Sequence, residues 1–450
     1  MNRLLWRCCA LIALLTAAVP CFAQDAAEPS FPDLNFSGSL RTRYEYLDNY
    51  TIRKYGVDDR DNFLLTRLRL EADLLLRPDT HAFVQFQDAR LFFSDFNRHD
   101  FPPKCPYENR FDLRQLFFET TNLWDTPLGF KAGRQAISYG DNRIWGPGDW
   151  GNAGRYTWDG AKVYYHTDAV RLDFIAAEQV LYDATRFDGN HLPFQCYGIY
   201  AQLPRKKEVS LDLFYVLKHD AHGNTAGESG VGDLSRHTFG AHATGKLGTG
   251  GFGAFDYAAT GAWQTGKHGR DDVRAWAMLA DVGYTFNRRM QPRVHAGCSC
   301  ASGDSDPADG RNETFDGVNG AVDKYYGRMN LFSLKNLIDY EAGISIQPAK
   351  KLKVSADYHV FYLVERTDGW YYCNCNAQRR DKTGASGREL GQEVDVVARW
   401  EVPLSGALKR ALKSMNLMGG WAYFIPGDFV ENTGNAGKAS WAFAQVEVLF

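Results

Sequence analysis

Polar and apolar residues alternate at every second position along most of this chain. Between positions 64 and 74 the odd positions include Arg67, Arg69, Glu71 and Asp73, and the even ones are Leu64, Thr66, Leu68, Leu70, Ala72 and Leu74. A period of two residues belongs to an extended strand whose two faces meet different surroundings. The pattern therefore predicts an all-β protein.

The alternating segments number about 18, and each is close to the 9–11 residues that a tilted membrane strand needs. Many of their apolar faces end in Tyr or Trp, which is typical of a lipid-facing band between aromatic girdles. We predict a transmembrane antiparallel up-and-down β-barrel with a polar lumen. Its strands are expected near residues 35–47, 62–76, 79–90, 109–121, 128–137, 157–166, 168–180, 194–203, 207–217, 234–245, 252–264, 272–286, 291–302, 336–347, 350–365, 389–400, 415–425 and 440–450.

The connections between these segments alternate in length. Tight links are predicted at Arg77-Pro78, 204–206 and 348–349, and long polar segments at 48–61, 91–108, 218–233, 303–335 and 366–388. Short periplasmic turns alternating with long external loops are typical of outer-membrane barrels. One link on the predicted periplasmic side, 401–414, is longer and is expected to form a short amphipathic helix.

Composition excludes two other classes of protein. No stretch of 18 apolar residues follows position 23, and the mean hydropathy of −0.39 is too polar for a bundle of membrane helices. The 51 Lys and Arg residues nearly balance the 54 Asp and Glu residues, so a nucleic-acid partner is not expected. A secreted soluble β-protein remains open at this point.

The first residues have the pattern of a secretory signal peptide. Arg3 and Arg7 precede the apolar stretch 11–19, and small residues at Cys21 and Ala23 place cleavage after Ala23. We predict a cleaved signal peptide at 1–23, a short periplasmic segment at 24–34 and a single barrel domain at 35–450.

The chain ends in an alternating strand with a terminal aromatic residue. Phe450, Val448 and Val446 share one face. The alternative, an ordinary closing strand of a soluble sandwich, fits less well beside the signal peptide and the alternation of loop lengths.

Several stretches together resemble the alginate-export family of outer-membrane barrels. The first is 133–155 (GRQAISYGDNRIWGPGDWGNAGR) with 158–161, followed by 283–286, 301–309, 325–332, 356–361, 391–395 and 420–427. The resemblance extends from about residue 35 to the C-terminus. It implies an 18-stranded monomeric barrel in the bacterial outer membrane, with an arginine-rich constriction that passes an anionic polysaccharide. It also implies contact with outer-membrane lipid, an assembly machinery that reads Phe450, and export components of the periplasm.

The polar strand faces define a candidate pore. If the apolar faces meet lipid, the lumen wall carries Arg41, Arg43, Arg67, Arg69, Lys131, Lys162 and Arg171 on one arc, and Asp339, Glu341, Asp357, Glu393 and Asp395 on the other. Guanidinium groups bind carboxylates in a bidentate manner, and a ring of them favours anions in a narrow pore. The alternative is that these charges pair across the lumen and only fill a polar interior.

The glycine-rich stretch 133–155 is predicted to fold into the barrel mouth. This would place Arg134, Arg143 and Arg155 near the solute path. The alternative is a compact surface loop held by Trp145 and Trp150.

No cofactor is predicted, and no metal site is assigned. Asp304, Asp306 and Asp309 are weak Ca²⁺ candidates, for which a solvated acidic turn is the simpler interpretation. Of the nine cysteines, six follow the signal peptide: Cys105, Cys196, Cys298, Cys300, Cys373 and Cys375. Disulfides near the external rim are the first interpretation, buried thiols the second and a soft-metal site the third. The sequence does not give the connectivity.

The function predicted from these features is an outer-membrane channel for an anionic, alginate-like uronate polymer. The second interpretation is a porin for small anionic nutrients such as sugar acids or organic acids. A third class, a barrel enzyme or adhesin, has little support because the chain contains no G-x-S-x-G, no H-E-x-x-H and no glycine-rich phosphate loop. The protein is therefore not expected to be an enzyme.

Overall fold

The computed structural model describes most of the predicted barrel domain. It covers residues 31–49, 60–96, 105–154, 156–184, 186–203, 209–317, 319–320 and 324–450, with the backbone alone at 190–193. The predicted signal peptide 1–23, the tight link 204–206 and Arg155 lie outside the described residues.

The described chain forms a closed barrel of 18 antiparallel strands. Each barrel strand pairs with the next along the chain, and the first pairs with the last. The barrel strands are β1 Asp33–Asp48, β2 Arg60–Arg77, β3 Thr80–Phe92, β4 Asn109–Thr120, β5 Leu128–Ala136, β6 Thr157–His166, β7 Arg171–Leu181, β8 Asn190–Gln202, β9 Val209–Ala226, β10 Val231–Gly248, β11 Gly253–His268, β12 Asp271–Phe286, β13 Arg293–Ala301, β15 Leu337–Ala349, β16 Leu352–Tyr362, β19 Glu389–Glu401, β20 Ser414–Pro426 and β21 Ala439–Leu449.

The loops contribute smaller elements. They are β14 Arg311–Asn312, the hairpin β17 Gly369–Tyr371 with β18 Ala377–Arg380, a 3₁₀ turn at Leu123–Asp125, and the helices α1 Gly406–Ala411 and α2 Asp428–Thr433. Helix α1 lies in the long link where a short helix was predicted. Within the described residues, no helix is both long and apolar enough to cross a lipid bilayer.

Alternation of side chains sets the inner and outer faces of the wall. In β1, Phe36 and Tyr44 are exposed on the outside, whereas Arg41 and Arg43 are 3% exposed and point inwards. The register of β1 on β2 places Arg41 opposite Arg67 and Leu40 opposite Leu68. Closure of the sheet gives the first and last strands a hydrogen-bonding partner, as a lipid environment requires.

The connections alternate in length between the two ends of the barrel, with three exceptions, one of which is 402–413, a long link at the short-turn end. At one end the links are short, such as 78–79 and 350–351, and at the other lie 93–108, 137–156, 302–336 and 363–388. The prediction of a long external loop at 218–233 is wrong, because β9 extends to Ala226 and β10 begins at Val231. Strands β11 and β12 are likewise joined at the long-loop end by residues 269–270 alone.

The barrel interior is apolar towards the long-loop end. Phe63 and Leu65 point inwards from β2 and are fully buried, and the Phe63 ring lies 5.3 Å from that of Tyr107 in the following loop. On the opposite wall Phe332 stacks on Phe361 at 4.0 Å. Inward loops exclude water here, and burying each such ring contributes about 2–3 kcal/mol. The polar lining of the lumen is found nearer the short-turn end.

The C-terminal residue completes barrel closure. Phe450 exchanges two backbone hydrogen bonds of 3.0 Å with Gly38 of β1. A Cβ atom at Gly38 would lie 2.6 Å from the Phe450 ring and 2.7 Å from the carbonyl oxygen of Arg69. Only glycine leaves room for this contact.

We predict that deleting Phe450, or changing Gly38→Val, lowers the fraction of folded barrel. Both changes disturb the seam where the last strand meets the first. The measurement is the heat-modifiable band in electrophoresis after membrane extraction. Gly261→Val is the matched control, since a Cβ at Gly261 has nothing within 4 Å. Equal folding of all three variants would contradict the assigned role of this seam.

Candidate functional site

Four arginines on neighbouring strands form a row on the inner wall. We call Arg41, Arg43, Arg67 and Arg69 the arginine row. Arg41 and Arg67 are direct cross-strand partners, and Arg69 lies opposite Ser39. Arg67 is 4% exposed, as buried as the two β1 arginines. So many buried cations of like charge need acceptors at hand.

The acceptors are backbone carbonyls of the connection between β5 and β6. We call residues 137–154 of this connection the inner loop. Arg41 donates from Nη1 to the backbone carbonyl oxygen of Asp149 at 3.1 Å and from Nη2 to that of Gly151 at 2.9 Å. Arg67 donates to the same carbonyl oxygen of Asp149 at 2.9 Å, and Arg43 donates to the backbone carbonyl oxygen of Trp150 at 3.0 Å. The arginine row therefore holds the inner loop inside the barrel.

Carbonyls are neutral, so this binding leaves most of the positive charge in place. Arg43 also pairs with Glu45 at 2.7 Å, and Arg67 contacts Glu447 at 3.5 Å. Arg69 and Arg114 share one carboxylate, Asp149, at 2.8 and 3.1 Å. Within 4 Å, and among the described residues, the five guanidinium groups of the arginine row and Arg114 thus pair with three carboxylates, while Asp112 and Asp188 act on Arg114 from further away.

Asp149 is the one carboxylate that the inner loop brings to the row. Burial disfavours its charged form, but the guanidinium groups of Arg69, Arg114 and Arg67 outweigh this and hold the pKa of Asp149 well below its usual range. In the unfolded chain the pKa of this carboxyl group would be about 4. Its ionised form therefore strengthens loop binding in full at any pH above about 4, and the effect is lost only in stronger acid. The side chain is 49% exposed, so it also faces the open lumen.

The acidic residues of the opposite wall bind backbone amide groups of a second loop, which is the described part of the connection 302–336. Arg328 donates its backbone N–H to Asp395 at 3.0 Å, and Met329 donates to Glu393 at 2.8 Å. Asp339 accepts a hydrogen bond of 3.0 Å from His359. Glu341 and Asp357 both face His295. Arginines of one wall and carboxylates of the other thus each bind loop backbone of complementary polarity.

The two loops contact each other inside the barrel. Gly146 donates to the Asn319 carbonyl oxygen, and Asn319 donates to that of Ile144, both at 3.1 Å. The Tyr325 hydroxyl donates to the Asp141 carbonyl oxygen at 2.6 Å. The centre of the Trp150 ring lies 4.7 Å from the guanidinium carbon of Arg43 and 5.9 Å from that of Arg328. The inner loop therefore spans the lumen from one wall to the other.

The other predicted basic residues are mostly engaged in local ion pairs. Arg134 pairs with Asp159 at 2.8 Å, Arg143 with Asp281 at 2.7 Å, Lys131 with Glu119 at 3.1 Å and Lys162 with Asp173 at 3.3 Å. Arg171 is exposed near the short-turn end. The structure thus groups the arginine row, while the remaining positions are spread around the wall.

Sequence reasoning missed three residues of this site. Arg114 is buried on β4, two positions from Asp112, where an irregularity in the pairing with β3 interrupts the alternation of that strand. Asp149 and Arg328 are loop residues within the stretches that carry the family resemblance. No periodicity marks a loop residue as facing the lumen.

The metal and disulfide candidates are placed as follows. Asp304 accepts backbone N–H groups of Asp306 and Glu313, whereas Asp306 and Asp309 accept from Ala308 and Arg311 within their own turn. These three carboxylates are therefore used in local loop structure. Cys196, Cys298, Cys300 and Cys375 are free thiols, so the prediction of disulfides is wrong for these four residues. Cys105 and Cys373 are buried.

Comparisons with known proteins agree with this architecture. The model of the alginate export family matches residues 33–443. Similar solved structures include three Pseudomonas aeruginosa proteins. OccK9 (OpdG) has a TM-score of 0.64 at 11% identity, over 93% of this chain and 98% of that one. OccK8 (OprE) has 0.61 at 11%, over 93% and 98%. The outer membrane protein OprD has 0.61 at 10%, over 93% and 94%. At such identities the likeness shows the fold alone. No curated protein matches the chain in sequence.

We predict that Arg41→Ala with Arg67→Ala releases the inner loop while the barrel still forms. Hydrogen bonds from a charged donor each contribute about 1.5–3 kcal/mol, and the two residues supply most of those to 149–151. Single-channel recordings in planar bilayers should then show a larger and noisier conductance. Arg171→Ala, which removes an exposed charge, should leave the trace unchanged. An unaltered trace in the double variant would mean that other contacts hold the loop.

Proposed function

Because the chain belongs to the alginate export family, we propose that this outer-membrane channel conducts an acidic polysaccharide of the uronate type. The observation that carries the proposal is the surplus of guanidinium groups at the inner loop, where the lumen is crossed. The family and the fold are those of outer-membrane channels, and the chain is placed in the bacterial outer membrane on that basis.

The surplus supports an anionic solute on electrostatic grounds. A charge about 4 Å from a carboxylate contributes about 4 kcal/mol at an effective dielectric constant near 20, far more than in bulk water. Arg69 and Arg114 are the members of the site that bind loop side chain rather than loop carbonyl. Their common partner is the half-exposed Asp149. A uronate group in the lumen would compete with Asp149 for the same two guanidinium groups.

A chain of carboxylates has an advantage over a single one at such a site. Arg43 and Arg328 place positive charge over the Trp150 ring, and Arg69 and Arg114 add charge at the neighbouring Asp149. Successive uronate units could occupy these positions in turn, so that one unit binds as the previous one leaves. Binding that is distributed over several weak sites permits conduction, whereas one tight site would block it.

The second candidate is a porin for small anionic solutes such as sugar acids or organic acids. It is favoured by the inward loops, which meet across the lumen and narrow it. Neither candidate implies a transport direction, because a passive pore follows the gradient of its solute. Partners of the proposed channel are outer-membrane lipid, the outer-membrane assembly machinery and, for polymer export, periplasmic components. We propose no catalytic role and no cofactor for the conduction of solute.

The two candidates are separated by blockade of single channels. We expect anion-selective currents that polyuronate oligomers interrupt at concentrations at which the monomeric uronate has no effect. Arg69→Ala with Arg114→Ala should lower anion selectivity and weaken the block several-fold, since a change of about 1 kcal/mol shifts occupancy about fivefold.

Lys409→Ala is the matched control for this experiment. Lys409 lies on the exposed helix α1 at the short-turn end, away from the inner loop, so its loss should leave selectivity and block unchanged. Equal block by monomer and oligomer would favour the small-solute porin. Selectivity for cations in the unmodified channel would contradict both candidates.

A further inference from the structure

We propose that His295, Glu341 and Asp357 form a binding site for a divalent transition metal of the zinc type on the lumen wall. We call these residues the wall triad. The proposal is independent of the identity of the conducted solute. It rests on the convergence of one imidazole and two carboxylates on a common point, within the acidic wall opposite the arginine row.

Three adjacent strands bring the triad together. His295 on β13 is the cross-strand partner of Gly343 on β15, and Gly343 is in turn the partner of Asp357 on β16. Glu341 lies two positions from Gly343 and therefore on the same face of β15. The ligand atoms of the three side chains all lie within 4.8 Å of one another.

The distances fit the coordination shell of zinc. His295 Nε2 lies 3.1 Å from Glu341 Oε1 and 3.4 Å from Asp357 Oδ1. Ligands bound at about 2.0–2.1 Å around a tetrahedral ion are separated from each other by about 3.3–3.4 Å. One histidine and two carboxylates would leave the fourth position to water or to a solute group.

Gly343 creates the space in which the site forms. A Cβ atom there would overlap Asp357 Oδ1 and the His295 ring, with Nε2 only 2.7 Å away. Any other residue would push the two ligands apart. The glycine is therefore a requirement of this close approach.

The hydrogen-bonding arrangement leaves the site incomplete without a cation. A single imidazole N–H cannot point fully at both carboxylates, yet both converge on Nε2. No lysine or arginine forms an ion pair with Glu341 or Asp357 in the described part of the chain, where His295 is their one basic neighbour within 4 Å. Ser355 lies 3.4 Å from Asp357 Oδ2 and orients that carboxylate from outside the triad.

The site is open to the lumen. The side chains of His295, Glu341 and Asp357 are 14%, 24% and 12% exposed, so an ion can enter and a coordination position remains accessible. A bound divalent ion would be the largest local charge on this wall. Its two positive charges would balance those of Glu341 and Asp357, so this part of the acidic arc would lose its negative charge.

The test is metal titration of the purified full-length barrel. Co²⁺ is the spectroscopic probe and Zn²⁺ the competitor. We expect one Co²⁺ per barrel with the visible absorption of a four-coordinate site, displaced by Zn²⁺. His295→Ala should weaken binding at least about 100-fold, since even the loss of an outer partner of a metal ligand costs 10–100-fold. Gly343→Ala should weaken it as well.

His81→Ala is the matched control. His81 also lies between two carboxylates, but Asp73 contacts its Nδ1 at 2.6 Å and Glu119 its Nε2 at 3.4 Å, so they do not converge on one atom. Binding should be retained in this variant. Heat-modifiability of each preparation establishes that it is folded. Absence of saturable binding to the unmodified barrel, or equal binding by the His295→Ala barrel, would overturn the proposal.

Discussion

The arrangement of the lumen depends on the hydrogen bonds between the arginine row and the carbonyl oxygens of residues 149–151. An arginine that binds a carboxylate is neutralised, whereas one that binds a carbonyl keeps its charge. Arg41 and Arg67 therefore fix the inner loop without cancelling the field that the loop experiences. The same contact provides both a narrow passage and a positive one. It also explains how several buried guanidinium groups remain close together without an equal number of acids.

The opposite wall follows the same principle with reversed polarity. Glu393 and Asp395 accept backbone N–H groups of Met329 and Arg328, which are again neutral partners. Charges of both walls therefore bind loop backbone, and the two loops meet inside the lumen. Because the loops contact each other through Asn319, loosening one of them should affect the other. The site is a property of both walls together.

The sequence predicts the wall well and the contents of the barrel poorly. Alternation assigned Arg41, Arg43, Arg67 and Arg69 to one face because a strand has only two faces. It could not indicate what these residues would meet, since a carbonyl acceptor belongs to every residue and leaves no trace in composition. The inward course of residues 133–155 was predicted partly from family resemblance. Residues 218–233 were misassigned as a long loop because they are mostly polar. Strands β9 and β10 continue through them, beyond the point where the apolar faces of these strands end.

Inward loops do leave one signal in the strands, and it explains where the alternation fails. Where a loop covers the inner face, the wall is apolar on both sides, towards lipid and towards the loop. Phe63, Leu64 and Leu65 of β2 form such a run: Phe63 and Leu65 are fully buried inside, and Leu64 lies on the outer face. A few residues further along, Arg67 and Arg69 restore the polar inner face. The transition within one strand, from apolar on both faces to apolar on one, marks the level at which the apolar packing of the loops ends and the arginine row begins. An analysis of the alternation that scores the hydropathy of the two strand faces separately would therefore locate the level of the constriction from the sequence.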